Sequence, residues 1–316
     1  MNFKLSVVVP AYNEQENLPI LADKLVQLFL KMPHITYEII FVDDGSTDQT
    51  LHVMKQLHAK YPQCHYIELS RNFGHQYALK AGLDRASGDA VISMDADLQH
   101  PVELIPELIQ HWQEGYDIVY TLRRDSKKET FFKRLTSRLY YKIFGSLSGL
   151  KLPAGSADFR LMSAQAVHVL KQMPERLLFL RGIVFWMGFR QKAVAYDPAP
   201  RLTGQSHYNL KRMMQLALTG VTAFSMKPLR VAVYIGLITA CLGVLFTGYV
   251  LYMRLIADTA ISGWASVMSV ILILGGVQLF VMGLIGEYVG LTFMESKKRP
   301  SYIVRSSSLD EKESVH

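Results

Sequence analysis

From Val231 to Met253, and again from Thr259 to Gly286, the chain carries no charged side chain. At about 1.5 Å per helical residue the first stretch alone extends roughly 34 Å, enough to cross the hydrocarbon core of a bilayer. A helix that is apolar on every face offers water no polar side, so the two stretches read as a membrane hairpin rather than as buried helices of a soluble core. Lys211, Arg212, Lys227 and Arg230 precede the pair, Lys297, Lys298, Arg299 and Arg305 follow it, and the short connection holds Arg254 and Asp258. The positive-inside rule then puts both flanks, and both termini, in the cytosol and the connection on the other side. The second stretch is rich in glycine, and the G-x-x-x-G of Gly286 and Gly290 suits close packing within the hairpin or between copies equally well. A homo-oligomer is expected. Residues 294–316 read as a cytoplasmic tail, whose polar end from Ser306 to His316 is expected to be disordered.

Charge and hydropathy agree with a membrane protein. The chain has 316 residues, 34 Lys and Arg against 27 Asp and Glu, and a net charge of +7. Its mean hydropathy is nevertheless positive, +0.14. A chain both basic and hydrophobic points to a lipid surface and away from nucleic acid. Of the two cysteines, Cys64 and Cys241, the second lies inside the first apolar stretch, so no disulfide between them is expected. The apolar run Leu5 to Val9 is too short for the core of a signal peptide and reads as a first strand.

Residues 1–122 alternate short β-rich runs with amphipathic stretches. Strands are predicted at Leu5–Pro10, Glu38–Val42, His65–Leu69, Ala90–Met94 and Ile118–Thr121. Helices are predicted at Asn17–Leu30, Thr47–Lys60, His75–Ala86 and Pro101–Glu114. Strict alternation means right-handed βαβ units and a mostly parallel sheet, hence an α/β fold. The first strand is not followed by G-x-G-x-x-G, which argues against a dinucleotide-binding domain. Residues 123–228 form a second part. It opens with a basic segment, Arg123 to Leu147, in which Phe131, Phe132, Leu135, Leu139 and Ile143 recur at helical spacing. That pattern suits a helix lying in the lipid headgroup plane, and also a surface helix packed on its own domain. Residues 229–293 hold the membrane pair.

In an open α/β sheet, ligands sit beyond the carboxyl ends of the strands, and four segments fall there. They are Pro10-Ala11-Tyr12-Asn13-Glu14, Asp43-Asp44-Gly45-Ser46-Thr47-Asp48, Ser70-Arg71-Asn72-Phe73-Gly74 and Asp95-Ala96-Asp97-Leu98-Gln99. Asp95 and Asp97 can share one hard cation whose shell a diphosphate completes, although Asp-x-Asp alone also occurs as a simple strand-end turn. Asp43 or Asp44 can accept hydrogen bonds from a base or ribose, while Ser46, Thr47 or Asp48 caps the following helix.

Val7 to Glu14, Val42 to Asp48 and Asp95 to Pro101 together resemble the inverting family 2 glycosyltransferases with the A-type nucleotide-sugar fold. From Lys4 to Val304 the chain is similar to the polyprenyl-phosphate glycosyltransferases: the dolichyl-phosphate mannose synthases and, nearer, the bacterial bactoprenol glucosyltransferases with two C-terminal membrane helices. The resemblance implies a Rossmann-like nucleotide-sugar-binding domain with interfacial helices and a transmembrane hairpin, in the bacterial cytoplasmic membrane. It implies that Pro10, Tyr12, Glu14, Asp44 and Asp95 bind the nucleotide sugar, and that Asp95, Asp97 and Gln99 hold Mg²⁺ or Mn²⁺. Arg123, Lys133, Ser137 and Arg201 would grip the phosphate of a polyprenyl phosphate acceptor, and Asp158, with Asp97, would be catalytic. In the loop Gly204-Gln205-Ser206-His207-Tyr208, His207 stands where the family usually has lysine.

Chemistry agrees with these roles. Negative charge grows on the leaving diphosphate, which a divalent cation stabilises, and an acceptor phosphate is already an anionic nucleophile. A general base is hardly needed, so Asp158 would orient the acceptor or stabilise positive charge at the anomeric carbon. Direct in-line attack converts an α-linked donor into a β-linked lipid phosphate sugar, and the resemblance implies that this product serves as a donor for modifying cell-envelope glycans such as lipopolysaccharide O-antigen. Phe179 to Arg190 is more similar to the glucosyl branch, which favours UDP-glucose, with UDP-N-acetylglucosamine or GDP-mannose as alternatives. A processive polysaccharide synthase would carry Q-x-x-R-W, and Arg181-Gly182-Ile183-Val184-Phe185-Trp186 does not fit it. A non-catalytic nucleotide-sugar-binding scaffold is the remaining alternative, and metal-dependent transfer would separate the two.

Overall fold

The computed structural model describes residues 2–124, 145, 153, 155–173, 175, 178–197, 225–255 and 263–310. The chain divides into two units, one of residues 1–145, 150–214 and 299–316 and one of residues 146–149 and 215–298. The expected headgroup-plane helix between Arg123 and Leu147 lies almost entirely outside the described residues, as do Lys133, Ser137, Arg201 and His207.

The first unit is built on one sheet. Its first part runs β1 (Phe3–Ala11), α1 (Asn17–Leu30), β2 (Ile35–Asp43), α2 (Thr50–Lys60), β3 (Cys64–Leu69), α3 (His75–Arg85), β4 (Ala90–Ser93), α4 (Ile105–Gln113) and β5 (Ile118–Arg123). These are the elements expected from the alternating pattern, with ends shifted by a few residues. β6 (Ser156–Ser163), α5 (Ala164–Gln172), α6 (Leu180–Trp186) and β7 (Gln191–Tyr196) follow, and β8 (Val304–Ser307) closes the unit. The strand order is β7-β5-β6-β4-β1-β2-β3-β8. All strands run parallel except β6 and β8, which pair antiparallel with their neighbours.

Val7, Val8 and Val9 of the central strand are all fully buried, because helices cover both faces of the sheet. On one face α1 packs Leu18, Leu21, Ala22, Leu25 and Phe29 against Leu5, Val7, Val9 and Phe41, with α2 and α4 beside it. Those α1 positions recur at the three- and four-residue spacing of a single helical stripe, so the amphipathic pattern in the sequence and the buried face coincide. Ser163 ends β6 and caps α5, its Oγ accepting the Ala166 N–H at 3.2 Å.

The C-terminal segment departs from the expectation of disorder. β8 pairs antiparallel with β3 at the edge of the sheet. Beyond it, Ser308 is buried, accepting the Tyr66 N–H at 3.0 Å through Oγ and donating its own N–H to the Tyr66 carbonyl at 3.1 Å. Asp310 pairs with Arg85, and Glu68 takes Arg305 at 3.1 Å and Ser306 at 2.7 Å. A polar stretch lacks the apolar signal of a core strand. An open β3 edge, however, offers backbone groups and a carboxylate that it satisfies. Residues 311–316 lie outside the described residues.

The second unit holds α7 (Lys227–Leu255) and α8 (Trp264–Ser296), both long and apolar enough to cross a membrane. Their apolar side chains face outward: Val244 and Leu279 are each 72% exposed, which excludes the buried core of a soluble unit. The hydroxyls of Thr239, Thr247 and Thr292 donate back to carbonyls one turn earlier, at 2.8–2.9 Å, so they are satisfied without water. Cys64 is buried in the first unit and Cys241 is exposed on α7.

Candidate active site

The sheet order places the site. Strands β1, β2 and β3 proceed in one direction and β4 returns to the other side of β1, so the chain diverges between the carboxyl ends of β1 and β4. A crevice opens at such a point in a doubly wound sheet. Here it is an open cleft of about 410 Å³, lined by Pro10, Tyr12, Glu14, Asp44, Asn72, Gly74, His75, Asp95, Asp97, Asp158 and Arg181 among others.

One wall is made of the first three strand-end loops, tied together by backbone contacts. Asn13 adopts a left-handed φ of 57°, donating its N–H to Ser46 Oγ at 3.0 Å and accepting the Thr47 N–H through Oδ1 at 2.9 Å. Glu14 N–H donates to Thr50 Oγ1 at 2.8 Å. Gly45 has φ +68°, and a Cβ there would stand 2.4 Å from the Arg71 carbonyl carbon, so only glycine lets the second loop lie against the third. Asp44 makes that contact: its carboxylate accepts the Phe73 N–H at 2.8 Å and the Gly74 N–H at 3.0 Å. Burial raises its pKa in spite of those bonds. Asp44 therefore lines the cleft and also braces the loop after β3. Asp43 is buried and accepts the Ser46 N–H at 3.2 Å, and Asp48 accepts the Thr50 N–H at 3.0 Å at the start of α2.

The floor is the end of β4. Asp97 Oδ1 accepts the Gln99 N–H at 3.1 Å, turning the chain through Leu98, whose φ is 60°. The Asp95 N–H donates to His100 Nδ1 at 3.1 Å, which leaves the imidazole proton on Nε2, 3.7 Å from Asp95 Oδ2. His100 is buried and stacks on Phe159 with ring centroids 5.0 Å apart. Burial lowers its pKa, with Asp95 and Asp97 pulling the other way. The neutral ring thus fixes the Asp95 backbone as an outer support fixes a metal-binding carboxylate. Glu14 faces the same space, and burial, then Asp97, Asp48 and Asp95, raise its pKa against a hydrogen bond from Asn17.

Asp95 Oδ1 is buried and has no hydrogen-bond partner among the described residues; His75 Nε2 stands 3.4 Å from it. A buried carboxylate oxygen left in this state fits a hard divalent cation. Among the described residues no group of three or more His, Cys, Asp or Glu could hold a metal. Such a cation would therefore rest on Asp95 and Asp97 and take its other ligands from substrate and water, the habit of Mg²⁺. Gln99, the third residue expected at the metal, is buried, its Oε1 accepts from Arg123 Nη1 at 3.5 Å, and it is not among the residues that line the cleft.

The opposite wall comes from β6 and α6. Because β6 is antiparallel and pairs Arg160 with Ser93, its beginning lies beside the carboxyl end of β4 and carries Asp158 there. Asp158 is 3% exposed. Its Oδ1 accepts from Arg160 Nη2 at 2.6 Å and Arg181 Nε at 3.0 Å, and its Oδ2 from Arg181 Nη2 at 2.7 Å. Burial alone would raise its pKa, but Arg181, His75 and Arg160 hold it well below the usual carboxylate range. For His75, burial would lower the pKa, and the hydrogen bond to Asp158 with the charge of Asp95 outweighs it and raises it. Arg123 closes β5 at the same edge with an exposed side chain, outside the cleft lining.

The structure thus gathers Pro10, Tyr12, Glu14, Asp44, Asp95, Asp97 and Asp158 around one cleft. It adds three side chains to which the sequence reading gave no role: His75, His100 and Arg181. His100 directly follows the Asp-x-Asp-x-Gln segment, and His75 follows Gly74 at the head of α3, so their positions beside strand ends were a signal. Nothing local marks Arg181, which reaches the site only through the placement of α6.

Comparisons with known proteins follow the same lines. Residues 6–170 match the model of glycosyl transferase family 2, and residues 227–291 match that of the GtrB C-terminal hairpin. An uncharacterized glycosyltransferase of Synechocystis is 43% identical over 304 residues, 96% of this chain and 95% of that protein. The bactoprenol glucosyl transferase of Shigella phage SfV is 42% identical, over 96% of this chain and 98% of its own length. The prophage bactoprenol glucosyl transferase homolog of Escherichia coli is 41% identical over the same shares. With both segments matched and near full-length relatives above 40% identity, the chain belongs to glycosyl transferase family 2, as a glycosyltransferase with the A-type fold and the C-terminal hairpin of the bactoprenol glucosyl transferase branch.

Proposed function

We propose that this enzyme transfers a hexose, with glucose from UDP-glucose the first candidate, to undecaprenyl or another polyprenyl phosphate at the cytoplasmic face of a bacterial membrane, with inversion. The observation that carries the reading is the pair Asp95 and Asp97 at the switch-point crevice, with Asp95 Oδ1 buried and without a hydrogen bond. The relatives named as bactoprenol glucosyl transferases support the acceptor and the sugar, and the two outward-apolar helices support a lipid-bound substrate.

A divalent cation on Asp95 and Asp97, Mg²⁺ or Mn²⁺, would supply charge stabilisation to the departing diphosphate. The remaining work falls to the chain itself. Pro10, Tyr12 and the Asp44-braced loop form the wall against which the nucleotide lies, and Tyr12, 45% exposed, offers a ring face to a base. His100 holds the Asp95 backbone in place. Arg123, with Lys133, Ser137 and Arg201, positions the acceptor phosphate for in-line attack, a task for which charge-assisted contacts are suited. The phosphate is nucleophilic as it stands, so no side chain takes a proton from it.

The test is transfer itself. Membranes containing the protein are incubated with each labelled UDP-glucose, UDP-N-acetylglucosamine and GDP-mannose together with undecaprenyl phosphate, then extracted into organic solvent. Label should enter the lipid phase from UDP-glucose, stop with a chelator and return with Mg²⁺ or Mn²⁺. Label from another donor alone would change the sugar, and none from any donor would refute the proposal.

A further inference from the structure

The cleft has an acidic floor, and in the wall opposite, among the described residues, the Asp158 carboxylate is met by two guanidiniums, Arg160 and Arg181. The two arginines differ in access. Arg160 is 2% exposed, lies behind Asp158, and has Nε and Nη1 without hydrogen-bond partners among the described residues. Arg181 has a side chain 40% exposed and lines the cleft with Asp95 and Asp97. Asp158 grips it along one edge, at Nε and Nη2, which fixes the plane of the guanidinium. Gln76 fixes the helix that carries it: its Oε1 accepts the Leu180 N–H at 3.1 Å, and its Nε2 reaches Asp158 Oδ2 at 3.5 Å.

We infer that Arg181 is a phosphate-contacting residue of the transfer reaction, and that Asp158 acts as a positioning residue that holds it, rather than as a group acting on the sugar or acceptor. The inference rests on the transferase reading above and deepens it. A carboxylate whose two oxygens are both taken up by arginines is a poor proton acceptor. A planar cation whose orientation is set by Asp158, 40% exposed and lining a cleft whose reactants all carry phosphate, is pre-organised for an oxyanion. The phosphate can belong to the donor diphosphate or to the lipid acceptor, and kinetics separate the two.

The experiment uses full-length enzyme in detergent micelles. Arg181→Ala should lower kcat/KM about 10- to 100-fold, the usual effect of losing a charged hydrogen bond, and Arg181→Lys should lie between it and wild type. Asp158→Asn should lose a similar factor, and the double variant should be no worse than Arg181→Ala within about threefold, because both changes remove one contact. Since Asp158→Asn also strips Arg160 of its partner and endangers folding, a second measurement is rescue of Arg181→Ala by millimolar guanidinium. Saturable recovery is expected, and a purely structural arginine would give none. Calorimetric titration of UDP and kinetics in undecaprenyl phosphate assign the contact: weakened UDP binding points to the donor, and a raised acceptor KM with UDP binding intact points to the acceptor. Multiplicative losses in the double variant, or an Arg181→Ala enzyme within threefold of a wild type that transfers sugar, would overturn the inference alone. A wild type that transfers nothing would overturn the transferase reading and this inference with it.

Discussion

Replacing Gly45 by alanine tests how this wall of the cleft is held. The backbone there has φ +68°, a conformation that costs an L-residue about 1–2 kcal/mol. The new Cβ would also stand 2.4 Å from the Arg71 carbonyl carbon and 2.5 Å from the Asn72 nitrogen, both backbone atoms that cannot rotate away. Loop 70–74 would have to retreat by about 1 Å to restore ordinary contact, and that movement breaks the Asp44 hydrogen bonds to Phe73 and Gly74. Counting one charged hydrogen bond lost adds about 1.5–3 kcal/mol, for a total of about 2.5–5 kcal/mol. Gly115→Ala is the control: its φ is +92°, but the nearest atom to a new Cβ is the flexible end of Arg190 at 3.6 Å, so only the conformational cost applies. Urea unfolding in detergent should show Gly45→Ala destabilised by about 1.5–3 kcal/mol more than Gly115→Ala. UDP affinity should fall in the first and not in the second, because Asn72 and Gly74 line the cleft. Equal stability loss in the two variants, or unchanged UDP binding by Gly45→Ala, would refute the argument.

Asp97→Asn should abolish nearly all transfer while leaving the unfolding midpoint unchanged; more than about a tenth of the wild-type rate at saturating Mg²⁺, a barrier change below ~1.4 kcal/mol, would remove Asp97 from the metal site. Glu38 is buried with Lys4 at 2.8 Å and Ser6 at 2.5 Å, and although burial opposes it, these partners lower its pKa below 4.5. Its contribution is therefore present above pH 4.5 and lost as pH falls through the depressed folded-state value, so Glu38→Gln should be less stable at neutral pH and converge with wild type in acid. Ending the chain after Tyr302 removes β8 and the hydrogen bonds of Ile303 and Ser308; a loss of about 2–4 kcal/mol and a tendency to associate through the bared β3 edge are expected, and an unchanged denaturation curve would contradict the docked strand. A cysteine placed at Ser262 should react with an impermeant thiol reagent in intact cells, and labelling only after lysis would reverse the proposed membrane orientation.

The first five strands and four helices were legible because their signal is local: continuous apolar runs for strands covered on both sides, and a single apolar stripe for helices such as α1. β8 was not, since its four residues, Val304–Ser307, are mostly polar and are held by the edge of β3 rather than by a core. Asp95 and Asp97 could be read from their place after an apolar strand. The part played by Asp44 in holding the loop after β3 could not, because it depends on Gly45 bringing two loops into contact. Asp158 was found by resemblance, whereas its enclosure by Arg160 and Arg181 needed an antiparallel strand and a short helix whose positions are set by tertiary packing.

The most direct test of the account is the product of purified enzyme given UDP-glucose, undecaprenyl phosphate and Mg²⁺. Mass spectrometry and the anomeric proton coupling of the extracted lipid should show a β-linked glucosyl phosphate lipid formed one for one with UDP. UDP released without glycosylated lipid, or an α-linked product, would contradict inverting transfer to a lipid phosphate at this cleft.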